Sequence, residues 1–218
     1  ETAKAKEETQ RKQLEEAKAA KEAEALAAWT DLGFDEQMMT AWRKRGVLEP
    51  KKAAAWLDAG LDQETFWGWK SAGFKPEDAK IWIQAGFDKG GEAAAFKRNG
   101  KDAQEASQWR QAGFNWDQMS YFTDLDDALA FVKIEIAPVD AVNYRHIDMD
   151  AATAKTWQDA GIPSWSEVKT WREAGVDDPA LADQWRGVGL GHAEMKTWQN
   201  SGFDAAQADA WRKAGFPA

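Results

Sequence analysis

A large aromatic side chain returns along this chain every 13 or 14 residues, and the positions around it repeat with it. It stands at Trp29, Trp42, Trp56, Trp69, Trp82, Phe96, Trp109, Phe122, Phe131, Tyr144, Trp157, Trp171, Trp185, Trp198 and Trp211. The one departure is the nine residues between Phe122 and Phe131. This register defines fifteen units, eight before the slip and seven after it. Three residues before the marker the side chain is apolar, as at Leu26, Met39, Ala53, Phe66, Ala79, Met119, Val168 and Met195; three after it the commonest residue is Ala. Apolar positions at that spacing share one face of a helix. Each unit therefore predicts a short helix with a narrow buried stripe.

Both ends of that helix are marked. Seven residues before the marker stands a capping residue type: Asp35, Asp62, Asp102, Asn115, Asp150, Ser164, Asp178 or Asp204. Such side chains accept from the free N–H groups of a first helical turn. Pro50, Pro76, Pro138 and Pro179 fall six before the marker, the first helical position, where the missing N–H has no partner to lose. Four after the marker is Gly in most units: Gly33, Gly46, Gly60, Gly73, Gly86, Gly100, Gly113, Gly161, Gly175, Gly189, Gly202 and Gly215. Glycine there allows the left-handed backbone of a Schellman stop, which pairs the third residue from the helix end with the residue after the glycine. Here those two are the marker Trp and an apolar residue such as Phe34, Phe74, Phe87, Phe114, Phe203 or Phe216. Trp42, Trp69, Trp82, Trp109, Trp171 and Trp211 are thus expected to be structural. Each ends a helix and seeds the core at once.

The expected helix is about nine residues, roughly 13 Å long. That is too short to stand alone in water. Each unit must rest on its neighbours, as in a solenoid. The fold class expected is all-α: about fifteen short helices in an α-solenoid-like array. Residues one and two after the marker are often Arg, Lys or Gln, read as a solvated face matched to the dipole of their own helix.

Three segments break the pattern. Residues 1–28 are Ala, Lys, Glu and Gln with Leu14 and Leu26 as the large apolar groups. They predict a charged helix with opposite charges four apart, as at Glu7/Arg11, and no sustained heptad seam. The Phe96 unit carries Gly90-Gly91 before its helix and Lys101 after its Gly, and is expected to be the softest of its half. Residues 121–150 lose Trp and Gly together. Asp126, Glu135 and Asp148 stand where Gly belongs, and Phe131, Val132, Ile134, Ile136, Val139 and Val142 make this the most β-branched stretch. It reads as a joint between arrays at 29–126 and 127–218. A short strand near 131–136 is the alternative.

Composition narrows the function classes. Fourteen Trp against two Tyr follows from the repeat. A net charge of −9 without a basic cluster disfavours a nucleic-acid backbone as partner. With no Cys and two His, disulfides, thiol nucleophiles and ordinary zinc sites are excluded. No apolar run reaches transmembrane length. The chain opens on Glu1, so a preceding segment is expected in the native protein.

No catalytic, cofactor or metal set emerges. The clusters Asp124/Asp126/Asp127, Asp148/Asp150 and Asp177/Asp178 lack the full ligand pattern of a calcium loop and read as solvated caps. His146 and His192 fall in different units without a nucleophile beside them in sequence. Gly187-Val-Gly-Leu-Gly191 has no strand before it, and the register accounts for Gly189 as a stop and Gly191 as a cap. Trp67, Trp116 and Trp165 stand out of phase. They are the candidate exposed aromatics, able to stack on a sugar or anchor a partner, or to pack between helices.

In composition, residues 1–28 resemble bacterial envelope tethers and lipoprotein stalks, which implies a periplasmic or cell-surface setting. The Ala-Gly-Phe turn is similar to short repeats of type IVB secretion-system core proteins, although the period and the Trp differ and nothing is carried over. The expectation is a non-enzymatic scaffold that presents a helical-repeat surface to protein partners or to further copies, without cofactor. A carbohydrate- or peptidoglycan-binding module using exposed Trp is the alternative.

Overall fold

In the computed structural model, which describes residues 2–216 with side chains from residue 5 onward, the described residues form helices and turns and no strand. The fold is all-α and α-solenoid-like. Two compact units divide it, Glu1–Ser107 and Gln108–Ala218. The phase slip at 122–131 lies inside the second.

The first unit holds α1 (Thr2–Thr30), α2 (Glu36–Lys44), α3 (Pro50–Asp58), α4 (Phe66–Ser71), α5 (Pro76–Gln84) and α6 (Gly90–Arg98). Helix α7 (Ala103–Gln111) contains the division. The second unit continues with a 3₁₀ turn (Gln118–Tyr121), α8 (Leu125–Lys133), α9 (Pro138–His146), α10 (Ala151–Asp159), α11 (Trp165–Glu173), α12 (Pro179–Gly187), α13 (His192–Asn200) and α14 (Ala205–Lys213). From α2 on, every α-helix except α4 has nine residues, and its marker aromatic is the seventh. The four expected prolines each open a helix.

The helix stop is a Schellman motif in every unit but the one at Phe122. The N–H after the glycine donates to the marker carbonyl, as Phe87 to Trp82 at 3.0 Å, and the glycine N–H to the residue after the marker, as Gly86 to Ile83 at 2.9 Å. Gly86 has φ 95°. Where sequence lacks the glycine the geometry persists: Glu135 (φ 62°) and Asp148 (φ 53°) adopt it at a steric cost. Asp126 does not; it lies in the first turn of α8. The nine-residue spacing there has a simple cause. The unit ending at Phe122 is a 3₁₀ turn without a Schellman tail, so α8 begins three residues later, capped by Asp124, whose side chain accepts from the Asp127 N–H. The β-branched stretch 131–136 is the end of α8 and its turn, not a strand.

The stop builds the core directly. The ring after the glycine meets its own marker edge-on and then the next marker. Phe74 lies 5.2 Å from Trp69 and 5.9 Å from Trp82, and Phe87 lies 5.0 Å from Trp82 and 5.6 Å from Phe96. In the second unit Phe114, Phe122, Phe131 and Tyr144 continue the same relay. Trp42, Trp69, Trp82, Trp109 and Trp171 are buried, whereas Trp211, in α14, is 44% exposed and Phe216 beyond it 54%. Leu26, placed on the stripe by its register, is also exposed; residues 5–28 of α1 are solvated throughout, and burial begins at Trp29.

Stacking runs mostly two units apart, although consecutive helices also pack at α8–α9 and α12–α13. Helix α3 packs on α5 and α4 on α6; in the second unit α8 packs on α10, α9 on α11, and the 3₁₀ turn on α9. Small residues three before the marker allow this, and Ala53, Ala79, Ala128, Ala141 and Ala154 are each fully buried. The helices approach closely at Gly90. A Cβ there would stand 2.6 Å from the Trp69 Cα and 2.8 Å from the Gly68 carbonyl oxygen. The Gly90-Gly91 pair, expected to soften its unit, is where two helix backbones meet, and Ala93, Ala94, Ala95 and Phe96 are all buried behind it.

Several of the Arg, Lys and Gln residues after the markers also serve the two-unit spacing, and for these the reading as a merely solvated face is corrected. Arg145 donates to the Tyr121 carbonyl (3.2 Å), Gln158 to Ile134 (3.3 Å), Arg186 to Gly161 (2.9 Å), Arg212 to Val188 (2.8 Å), and Arg172 to Ile147. Each acceptor lies at the end of the helix or 3₁₀ turn two units earlier, among carbonyls left without intrahelical partners. A cation suits the negative end of that helix dipole. In the first unit the same slot works through a ring: Lys97 stands 5.0 Å from the Phe74 centroid and 3.9 Å from the Asp78 carboxylate. We expect Arg172→Met to lower stability by about 1–2 kcal/mol in urea unfolding, since a charged donor to an orphan carbonyl is lost. Arg43→Met, at the same slot of α2 where the side chain is exposed, should change it by less than about 0.5 kcal/mol.

Candidate functional site

The acidic clusters resolve into caps and ion pairs. Asp127 meets Arg145 at 3.3 Å and accepts from the Thr123 N–H. Asp177 meets Arg172 Nε at 3.0 Å, and Asp178 accepts from the Ala180 N–H. Asp35, Asp102, Asp150 and Asp204 cap their helices as expected. Ser164 does not; its hydroxyl bonds Ser166. Hydrogen bonding holds Asp150 below the ordinary carboxylate range, chiefly through the backbone N–H of Thr153. Asp62 is lowered chiefly by the Thr65 hydroxyl. Lys213 and Arg212 lower Asp209. Burial, with Asp140 nearby, raises Tyr144 to about 12, and its hydroxyl donates to the Pro163 carbonyl.

His146 lies 4.6 Å from the Tyr121 ring, and exposed His192 stands 6.1 Å from the Trp171 ring. Among the described residues no three His, Asp or Glu side chains are grouped to hold a metal ion. Gly187 ends α12, Gly189 takes φ 75°, and Gly191 is the N-cap of α13, where the Glu194 carboxylate accepts its N–H. No helix of the described residues is long and apolar enough to cross a membrane.

The out-of-phase tryptophans separate. Trp67 is 49% exposed and Trp116 is 42% exposed, while Trp165 is half-buried at the start of α11. Trp67 and Trp116 occupy the two units whose first turn is not α-helical. In the first, Asp62 accepts from the N–H groups of Glu64 and Thr65, so it caps a turn and α4 starts late, at Phe66. In the second, Asn115 does the same for Asp117 and Gln118, and a 3₁₀ turn follows. One face of Trp67 is already near a cation, with Lys70 Nζ 5.2 Å from its ring.

One cavity was not anticipated from sequence. A groove of about 580 Å³ opens between the starts of α3 and α5. Val47, Trp56 and Phe74 stand in its wall, with Leu48 (68% exposed) and Pro76 beside them. Lys51, Lys52, Lys70 and Lys75 surround it, against Glu49 and Glu77. The signal was present in sequence as lysines flanking both N1 prolines. Only the two-unit stacking brings the two sets together.

No family model matches the chain, and neither a curated protein nor a solved structure is similar to it at a significant level.

Proposed function

We propose that this chain is a non-enzymatic scaffold that presents a helical-repeat surface to a protein partner or further copies within a larger assembly, in the bacterial envelope. The observation that carries the reading is how the repeated side chains are used. The marker rings fill the core, and the residues beside them cap or clamp neighbouring helix ends. The part that varies from unit to unit is the solvent face, which is where a scaffold is read by its partner. The envelope setting rests on the composition of the exposed helix α1.

The reading predicts that the protein, isolated natively from its source cells, carries a protein partner at fixed stoichiometry in light scattering and mass analysis. Repeated isolation without partner or self-association would overturn it. A second reading, glycan binding, is favoured by the exposure of Trp67 and Trp116. Chitin and peptidoglycan fragments titrated against Trp emission separate the two. A saturable shift that Trp116→Ala or Trp67→Ala abolishes would establish the glycan module instead.

A further inference from the structure

The groove between α3 and α5 differs from its surroundings in charge. The chain is strongly acidic, yet four lysines ring this one apolar cleft. Lys52 is held by Glu49 at 2.6 Å. Lys51, Lys70 and Lys75 are exposed and have no carboxylate partner among the described residues; Lys70 lies only against the Phe66 and Trp67 rings. Both helices that frame the groove begin with proline, and neither N-cap, Glu49 nor Lys75, supplies a side-chain acceptor to the first turn. Pro50 and Pro76 have no N–H and that of Lys52 is taken by the Glu49 carbonyl at 3.1 Å, which leaves the first-turn N–H groups of Lys51, Glu77 and Asp78 for acceptors from outside; the positive ends of two helix dipoles add to the lysines. In the cleft wall, buried Trp56 and Phe74 present apolar surface beside the exposed Leu48. A volume of about 580 Å³ accommodates a few side chains of an extended segment.

We propose that this groove docks an acidic peptide segment of a partner protein, with an aliphatic or aromatic side chain against Trp56 and Phe74 and flanking carboxylates on Lys51, Lys70 and Lys75. This rests on the scaffold reading and names the chemistry of the partner. Charge complementarity selects the occupant: a purely apolar segment leaves the lysines unanswered, and a basic one meets them as like charges. A nucleic acid is disfavoured because its long phosphate backbone would run onto the acidic remainder of the chain.

The test titrates the full chain with three synthetic peptides: one alternating Glu/Asp with a central Phe-Leu, the same peptide with Lys for every acid, and the acidic peptide with Ala-Ala for Phe-Leu. Octanoate is a fourth probe. Binding is followed through the amide and indole NMR signals. The expected result is saturable binding of the first peptide only, with shifts at residues 47–49, 51, 52, 56, 74, 75 and 77. Affinity should fall at least tenfold in the double variant Lys51→Glu/Lys75→Glu and at raised salt, and stay unchanged in Lys196→Glu, an exposed lysine of α13. These lysines are exposed, so the variants should keep the native circular dichroism and unfolding midpoint. Shifts centred elsewhere, equal binding of the basic or Ala-Ala peptide, or octanoate binding as tightly as the peptide would each overturn the proposal. A natural partner that still co-purifies with the double variant sinks the groove assignment and leaves the scaffold reading standing. Absence of both a partner and self-association in the unaltered chain sinks the scaffold reading itself.

Discussion

Trp157→Ala is expected to lower the free energy of unfolding by about 3–5 kcal/mol, the range for removing a large aromatic from a close-packed interior. The ring is 1% exposed. Its carbonyl accepts the N–H of Ile162, so the ring and the helix stop are parts of one motif. Helix α10 packs on α8, so a loss in α10 should reach α8 as well. Stability in a repeat array is close to a sum of unit and interface terms. The loss should therefore be local as well as large. Hydrogen exchange should show amides of α8 and α10 losing protection more than those of α14. Trp67→Ala, with half its ring already in water, should cost under about 1 kcal/mol. A Trp157→Ala variant that unfolds within about 1 kcal/mol of the parent, or loses protection evenly along the chain, would show that the markers are not what binds neighbouring helices.

Gly90→Ala should destabilise the protein by about 1–3 kcal/mol, the cost of overpacking, although Ala is the better helix former. The sign is the test. At an open helical site, Gly→Ala gains up to about 1 kcal/mol because the unfolded chain loses freedom. Gly91, one residue along, is such a site, with nothing within 4 Å of the Cβ it would gain. Its Ala variant should raise the urea midpoint while Gly90→Ala lowers it. The difference has a single cause. The Gly90 Cβ would meet backbone atoms of α4, the Trp69 Cα and the Gly68 carbonyl oxygen, which cannot rotate away as a side chain can. Both variants moving the midpoint upward would mean that α4 and α6 do not approach as closely as described.

The local device was legible because its parts are close in sequence. Proline at the helix start, glycine four past the aromatic and an apolar residue after it specify a helix, a stop and a ring pair within some fifteen residues. Where the rule lapsed, neighbours enforced it. Glu135 and Asp148 take the left-handed turn without glycine because Ile136 and Met149, behind them, are buried and bond Phe131 and Tyr144. Two units were misread for a chemical reason. Asp62 and Asn115 are good caps for helices and equally good acceptors in tight turns, and register alone does not choose between them.

The candidate site was less legible. Trp67 and Trp116 could be named from phase, but the lysine-ringed groove could not, because Lys51 and Lys75 belong to different units. Likewise, the arginines after the markers could be seen as C-terminal cations but not assigned to a helix.

By itself, then, the sequence determined where most rods start and stop and, Trp211 excepted, which marker rings lie inside. These are properties of a few consecutive residues and of backbone sterics. Which rods touch was decided only in three dimensions. A thirteen-residue period is compatible with packing on the next unit or on the one after. The choice falls mostly to the second because buried alanines, and a glycine at position 90, let alternate helices approach closely, while α8–α9 and α12–α13 also pack as neighbours. From that contact follow the clamps on helix-end carbonyls and the lysine-ringed apolar groove between α3 and α5.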